Sequence, residues 1–421
     1  MRISVKPICE KLIWLFTVVL LSAFIILEFN IWGKFVYLGS AMLIMLLSAI
    51  IHNGTLRIRL QPFHGFYVLF TLYVFLSAIW AWNPSDPLKR GESLVQMFIC
   101  FAMIYIHYDR MGKIDEILSA IKWSGYFVAV YSMAVYGLDT MLASSQDMRM
   151  ATDFSNVNTI AMCAALSCMI QWNELLNKRS IWPSVMMIPS VILITATQSR
   201  KAFVLLIAGI FGVYIMRIAK QKGFAKKLLK MCMYFIILYV GMMLLFRLPI
   251  FSGSLERMGQ MLNFWTKEGK VDHSTQLRND MMSLGIEWFK KYPIFGIGVS
   301  NPHILAGRYL NFDSYLHNNF VELLCGGGIV GFCCYYVMYA YLFVQLFKYR
   351  KADYDAFSIG LVWLGLVLIM NYGMVTYYSK TQWFYLLVHF INVNNLRNKH
   401  KEMVENAEIA APQGDEVSVK S

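Results

Sequence analysis

The chain alternates between long apolar segments and shorter polar ones. A helix that crosses a membrane needs roughly 17–25 mostly apolar residues, because the hydrocarbon core is about 30 Å thick and a helix rises about 1.5 Å per residue. Segments of this kind lie at 12–29, 35–52, 65–82, 93–107, 116–137, 156–172, 182–198, 202–217, 231–247, 318–347, 356–375 and 381–396. The pattern predicts an all-α polytopic integral membrane protein with about 12 transmembrane helices.

One polar interval is much longer than the others. It spans 247–317, and unstructured loops of that length are uncommon in compact proteins unless they have a function. Apolar residues recur within it at the spacing of an amphipathic helix: Leu277, Met281, Leu284 and Trp288. We therefore predict four parts: helices 1–9 in 1–246, a long external loop with short helices in 247–317, helices 10–12 in 318–396, and a disordered cytoplasmic tail in 397–421.

The distribution of Lys and Arg predicts the orientation of the helices. These residues are retained on the cytoplasmic side of a membrane, and long loops are largely exempt from the rule. With the N-terminus inside, the cytoplasmic segments hold 22 of the 38 Lys and Arg residues, and 217–230 alone holds six. Both termini are therefore predicted to be cytoplasmic, and 247–317 to be external.

Composition excludes several classes of protein. The chain is 58% hydrophobic and 15% charged, whereas soluble proteins are about 45–50% apolar and about 25% charged. A soluble enzyme, a nucleic-acid-binding protein with a basic face and a disordered scaffold are all excluded, and the net charge of +13 is mostly a result of topology. The eight cysteines include no CxxC pair, and the chain has no phosphate-binding loop or dinucleotide fingerprint. We predict no metal, no cofactor and no nucleic-acid partner.

Charged residues at the ends of the predicted helices are the first candidates for chemistry. Arg149, Arg200, Lys201 and Arg278 fall on the predicted external face, together with His317. Arginines suit a substrate that carries phosphate, since guanidinium binds phosphate oxygens in pairs. An imidazole with a pKa near 6.5 suits a general base. Simpler explanations exist: a solvated Arg278, cations that extend to the membrane surface, and an interfacial histidine that makes one hydrogen bond.

Glycines follow the candidate histidine along the chain. Gly327, Gly328 and Gly331 form a small-residue face that would let another helix pack closely. A turn-rich stretch at 293–298 precedes them.

Four short motifs occur in order along the chain. They are Asn156-x-Asn158-x-x-Ala161; Ser199-Arg200-x-Ala202; Arg278…Trp288…Pro293-x-x-Gly296-x-Gly298; and His317-Asn318…Gly328-x-x-Gly331. With these motifs, the region from about 150 to 335 resembles the O-antigen ligase/polymerase superfamily of bacterial envelope glycosyltransferases, whose architecture is GT-C-like.

The resemblance implies a metal-independent, inverting glycosyltransferase at the outer face of the cytoplasmic (inner) membrane. The donor would be a glycan linked to undecaprenyl diphosphate, and the acceptor would be lipid A–core or another lipid-linked glycan. Arg200 and Arg278 would bind the diphosphate and stabilise the leaving group, and His317 would accept the proton of the acceptor hydroxyl. Further substrate-binding positions would be Arg149, Asn158, Lys201 and Asn318.

Two alternatives stay open at this stage. The spacing from His317 to Gly331 favours a ligase, and the Arg-x10-Gly pattern of some repeat-unit polymerases is absent, because Ile160 follows Arg149 and Phe289 follows Arg278 at that distance. A lipid-linked oligosaccharide flippase would also be a basic protein with twelve helices. Transporters commonly have two related halves, whereas the halves of this chain look unrelated.

Overall fold

The structure is a computed structural model that describes residues 5–55, 60–146, 150–178, 180–245, 247–266 and 273–410. Over these residues the protein is all-helical, with 83% helix and no strands. The α-helices in these ranges are α1 (Val5–Ile26), α2 (Gly33–Ile51), α3 (Pro62–Leu76), α4 (Ser85–Met111), α5 (Ile114–Tyr136), α6 (Leu138–Gln146), α7 (Val157–Lys178), α8 (Trp182–Thr197), α9 (Arg200–Lys220), α10 (Phe224–Leu245), α11 (Ser252–Thr266), α12 (His273–Lys291), α13 (Pro302–Leu310), α14 (Asn319–Lys348), α15 (Tyr354–Gly373) and α16 (Lys380–Ala410).

Every one of the predicted apolar segments overlaps a helix, but fewer helices meet the requirements of a membrane span. Within the described ranges, seven helices are long and apolar enough: α1, α2, α3 with its 3₁₀ extension, α7, α9, α14 and α15. An eighth arises if α5 and α6, which meet at a bend of 98°, form one broken span. The chain is thus a membrane protein with several apolar helices, and the count of 12 stays a prediction. Helix α8, for example, has only 16 residues and contains Pro189.

The polar segments at one end of the bundle contact one another. We call this end the loop end, because it carries the segment 247–317. The backbone N–H of Asn83 donates to Asn301 Oδ1 at 2.7 Å, and the N–H of Thr376 donates to Asn319 Oδ1 at 2.8 Å. The segment before α4 therefore meets the segment before α13, and the start of α14 meets the segment between α15 and α16.

Ion pairs join the polar segments at the opposite end, which we call the tail end. Lys113 pairs with Glu10 at 3.1 Å, and Lys220 pairs with Asp355 at 2.9 Å. These residues belong to the segments predicted to be cytoplasmic, whereas the loop end collects those predicted to be external.

The last helix is longer than predicted. Residues 397–410 continue α16 as a helix, so the prediction of disorder is wrong for that part of the tail. Lys399 Nζ contacts Asp353 Oδ2 at 2.6 Å, and the rings of His400 and Tyr349 lie 5.4 Å apart. These contacts hold the polar turns of α16 against the chain between α14 and α15. Residues 411–421 lie outside the described part of the chain.

A small second core supports the loop end. It is centred on Met281, Leu305 and Leu316, which are fully buried and join α12, α13 and the start of α14. Leu277, Leu284 and Trp288 pack against it. The amphipathic helix predicted within 247–317 is therefore confirmed, and its apolar face lies against the segment that carries His317.

Candidate active site

Cations from distant parts of the chain line one pocket at the loop end. The pocket lies where the first turns of α7 and α9 meet α11 and α12. Its lining residues are Asn158, Gln198, Ser199, Arg200, Lys201, Arg257 and Arg278. Four of them are Arg or Lys, the residue types that bind phosphate groups.

Arg200 lies at the first position of α9 and contacts the two helices that cover it. Its Nη1 atom donates to Thr275 Oγ1 of α12 at 2.9 Å and to the carbonyl oxygen of Arg257 at 3.4 Å. These contacts hold the guanidinium at the junction of α9, α11 and α12.

Asn158 connects the first turn of α7 to the start of α9. Its Oδ1 atom accepts a hydrogen bond from the Ser199 hydroxyl at 3.0 Å. The preceding turn is held by Asn156, whose Oδ1 accepts the N–H of Asn158 at 2.9 Å and whose own N–H donates to Glu28 Oε2 at 3.0 Å. Asn158 therefore positions the residue next to Arg200 as well as lining the pocket.

His317 lies beside this pocket, where the charges of Arg278 and Lys201 act on its ring. Its ring centroid is 4.3 Å from that of Tyr315. Burial, then the charges of Arg278 and Lys201, lower the pKa of His317 from its usual 6.5 to about 3. The imidazole is therefore neutral at pH 7, and Nδ1 has no hydrogen-bond partner among the described residues.

The backbone of His317 is in the left-handed region, with φ +57°. Side chains other than glycine adopt that region infrequently, and histidine is one of those that tolerate it best. Local strain of this kind costs of order 1–3 kcal/mol and occurs often at functional sites. Its surroundings must therefore hold His317 in place.

Asn318 has a structural role that the sequence did not predict. It is 3% exposed, and its Oδ1 caps α14 by accepting the N–H groups of Phe320 at 2.9 Å and Val321 at 3.1 Å. Its Nδ2 atom points at Met282 Sδ, 3.5 Å away. Asn318 therefore caps α14, and its contact with substrate stays a prediction.

Residues 185–336 match the family model described as O-Antigen ligase. This segment of the chain is similar to O-antigen ligases. The resemblance to the O-antigen ligase/polymerase superfamily is thereby confirmed, and members of this family are glycosyltransferase-like enzymes. A search of curated proteins found no match to the chain.

The matched segment contains the three residues predicted to be catalytic, Arg200, Arg278 and His317, and also Lys201, which lines the same pocket. Asn158 precedes the matched segment and reaches the same pocket from α7. Arg149 lies outside the described residues.

The small-residue face of Gly327, Gly328 and Gly331 packs against helix α3 and against the turn 293–298. An added Cβ at Gly331 would collide with the ring of Tyr73 on α3, so the prediction of a closely packed helix is confirmed there. On the turn side, the N–H of Ile329 donates to the Pro293 carbonyl at 2.8 Å. Helix α14 is kinked at Gly328, where φ is +59° and an added Cβ would collide with the Ile294 carbonyl. The kink lets the turn hydrogen-bond to the helix.

The sequence analysis did not identify two candidate functional residues in the matched segment. Arg257 on α11 lines the cation pocket, and Glu322 on α14 is 4% exposed close to His317. Arg257 belongs to no motif, so nothing in the sequence marks it. Glu322 is marked in the sequence, because it is a carboxylate inside an apolar helix, and charged groups are costly at membrane depth.

His303, in the same loop as His317, joins two carboxylates. Its Nδ1 lies 2.7 Å from Asp313 Oδ1, and its Nε2 lies 3.0 Å from Asp86 Oδ2. Burial alone would lower its pKa, but the hydrogen bonds to Asp86 and Asp313 raise it overall. His303 is thus a structural connection between α13 and α4.

No group of three or more His, Cys, Asp or Glu that could hold a metal ion occurs in the part of the chain that the structure describes. Metal independence stays a prediction to be tested by experiment.

Proposed function

We propose that this protein is an O-antigen ligase-type glycosyltransferase. It moves a glycan from undecaprenyl diphosphate onto a sugar of lipid A–core, with inversion and without a metal, at the outer face of the bacterial inner membrane. The observation that carries the proposal is the pocket in which Arg200 and Arg278 meet beside the neutral imidazole of His317. The proposal includes the division of the chain, with 247–317 as the external segment and both termini cytoplasmic.

The cations would hold the donor. Guanidinium groups bind pairs of phosphate oxygens, so Arg200 and Arg278 suit a diphosphate, and Lys201 adds a third positive charge. Negative charge grows on the diphosphate as its bond to the sugar breaks. Fixed cations stabilise that charge more in the transition state than in the ground state, which is what accelerates a reaction.

His317 would accept the proton of the acceptor. The acceptor oxygen forms a bond to the anomeric carbon, the bond from that carbon to the diphosphate breaks, and the hydroxyl proton passes to the imidazole. A pKa of about 3 makes the resting His317 a weak base. A bound diphosphate opposes the charges of Arg278 and Lys201, which lower that pKa, and so makes His317 more basic when the donor is present.

A cell-free assay tests the proposal. Purified protein is incubated with lipid-linked glycan and lipid A–core, and the products are separated by size and by lipid anchor. Glycan on lipid A–core supports the ligase, whereas longer chains on undecaprenyl diphosphate identify a repeat-unit polymerase. Absence of both products would favour a lipid-linked oligosaccharide flippase.

Conservative substitutions test the role of the arginines. Arg200→Lys and Arg278→Lys keep the charge but lose the paired donors, so each should lower turnover by about 10²-fold, as removal of one stabilising donor does in other enzymes. Arg247→Lys, at an exposed position of the same segment, is the matched control. Normal turnover of both pocket variants would contradict the assignment to the diphosphate.

A further inference from the structure

Glu322 lies one turn into α14 and is 4% exposed. The helix around it is apolar and is long enough to cross a membrane. A carboxylate in such a position is costly and is retained only where it has a partner and a purpose. Its partner is a backbone group in the segment that carries His317.

Glu322 Oε2 accepts a hydrogen bond from the N–H of Leu316 at 2.9 Å. Asn318, the N-cap of α14, accepts two N–H groups of the first turn. In a common capping box the carboxylate is the third residue of the helix and reaches the N–H of the cap itself. Here it is the fourth residue, and it reaches two positions before the cap. The chain from 316 to 318 is therefore folded back over the first turn.

His317 lies between two residues that are held in place, Leu316 and Asn318. Leu316, on one side, has its amide held by Glu322 and its side chain fully buried against α12. Asn318, on the other side, is fixed by capping. With both neighbours held, His317 takes the left-handed backbone conformation, with φ +57°, and its ring stays close to Arg278 and Lys201.

Glu322 lies within reach of the charge of Arg90 on α4. Arg90 also donates to Ser300 Oγ at 3.3 Å and stacks 3.7 Å from the ring centre of Tyr378. Arg90 therefore links α4 to the segments before α13 and before α16 in the neighbourhood of Glu322.

We propose that Glu322 is a positioning residue, whose carboxylate holds the Leu316 amide so that the His317 imidazole stays beside the diphosphate pocket. The inference rests on the proposed function. Glu322 makes no contact with substrate and acts only through His317. Its loss should therefore lower kcat and leave the KM for the donor nearly unchanged, because the arginines still bind the diphosphate.

Two conservative variants of Glu322 distinguish the effect of side-chain length from the effect of charge. Glu322→Gln keeps an oxygen at the same reach without the charge, and it should retain most of the wild-type kcat. Glu322→Asp keeps the charge on a side chain one methylene shorter, which cannot reach Leu316, and its kcat should fall. The opposite order, with an active Asp variant and an inactive Gln variant, would overturn the inference. Since neither variant deletes the side chain, the test remains decisive even if Glu322→Ala fails to fold.

A double-mutant cycle tests whether Glu322 acts through His317. Wild type, His317→Ala, Glu322→Asp and the double variant are compared in the transfer assay, each normalised to the folded protein. His317→Ala should lower kcat by about 10²–10⁴-fold, the usual contribution of a general base. The double variant should be no slower than His317→Ala alone. Additive losses would show that Glu322 acts elsewhere and would refute the inference.

A matched control removes the same kind of contact far from the site. Asp353, the N-cap of α15 at the tail end, accepts the N–H groups of Asp355 at 3.0 Å and Ala356 at 2.9 Å. Asp353→Ala should leave kcat per folded protein unchanged, and an equal loss there would mean that any weakened cap slows transfer. Normal turnover of His317→Ala, in contrast, would refute the proposed function itself.

Discussion

Replacing His317 with Asn should make the folded protein less sensitive to acid. In the unfolded chain the imidazole titrates near 6.5, whereas burial and the charges of Arg278 and Lys201 lower its folded pKa to about 3. Between these two values the unfolded state binds more protons than the folded state, so stability is lost as the pH falls. The contribution is fully present above pH 6.5. Asn is chosen because it tolerates the left-handed backbone at this position.

The size of the effect follows from the shift. One pKa unit corresponds to 1.36 kcal/mol, so the 1.5 units from pH 6.5 to pH 5 amount to about 2 kcal/mol of unfolding free energy. His317 is only partly buried, and water near the ring will reduce this figure. We therefore expect the wild type to lose between about 1 and 2 kcal/mol more than His317→Asn over that interval.

Unfolding of the purified protein in detergent, followed by tryptophan fluorescence at pH 7 and pH 5, measures this difference. Other titrating groups, including His303 and the carboxylates, are present in both proteins and cancel in the comparison. His273→Asn, at an exposed position at the start of α12, is the matched control and should behave as the wild type. Equal acid sensitivity of wild type and His317→Asn would refute the depressed pKa.

The same charges predict a kinetic signature. The acid limb of kcat/KM reports the free enzyme, and that of kcat reports the complex with substrate. Because a bound diphosphate offsets Arg278 and Lys201, the acid limb of kcat should lie at a higher pH than that of kcat/KM. Coincident limbs near pH 6.5, lost in His317→Asn, would mean that the pocket cations do not act on the base.

Three further predictions concern the fold, the topology and the chemistry. Gly328→Ala should reduce the folded yield, because a left-handed Ala costs roughly 1–2 kcal/mol and its Cβ would meet the Ile294 carbonyl, whereas Gly365→Ala, in open space on α15, should have no such effect in a thermal-stability assay. A single cysteine at 287 in a cysteine-free background should react with an impermeant thiol reagent in intact cells, and one at 224 should not; labelling at 224 would overturn the predicted orientation. Turnover should persist in EDTA, and a loss restored by one divalent ion acting on the protein would contradict metal independence.

The sequence predicted the helices well because apolarity is a local property. Each apolar segment overlaps a helix, and the amphipathic spacing within 247–317 located α12. What depends on distant contacts was missed. The helical turns at 397–410 are polar, and their order comes from contacts such as Lys399 with Asp353. The kink at Gly328 exists because the turn 293–298 hydrogen-bonds to α14, and no local pattern encodes that partner.

In the candidate site, too, local motifs were predictive, whereas features that depend on distant contacts were not. Arg200 and Arg278 were found because short motifs mark them, and they line one pocket. Arg257 reaches that pocket only because α11 folds over the start of α9, which no spacing reveals. Asn318 was assigned to the substrate because it is a polar residue within a motif, and only its hydrogen bonds identify it as a helix cap.

The choice of base shows most clearly what the structure adds. His303 and His317 lie in the same segment, and both carry an imidazole that could act as a base. Asp86, more than 200 positions earlier in the chain, comes within 3.0 Å of His303. With a carboxylate on each ring nitrogen, His303 favours its protonated form and has no nitrogen left for a substrate proton. His317 lies among cations instead, neutral and with Nδ1 unbonded among the described residues, so it alone of the two can accept a proton.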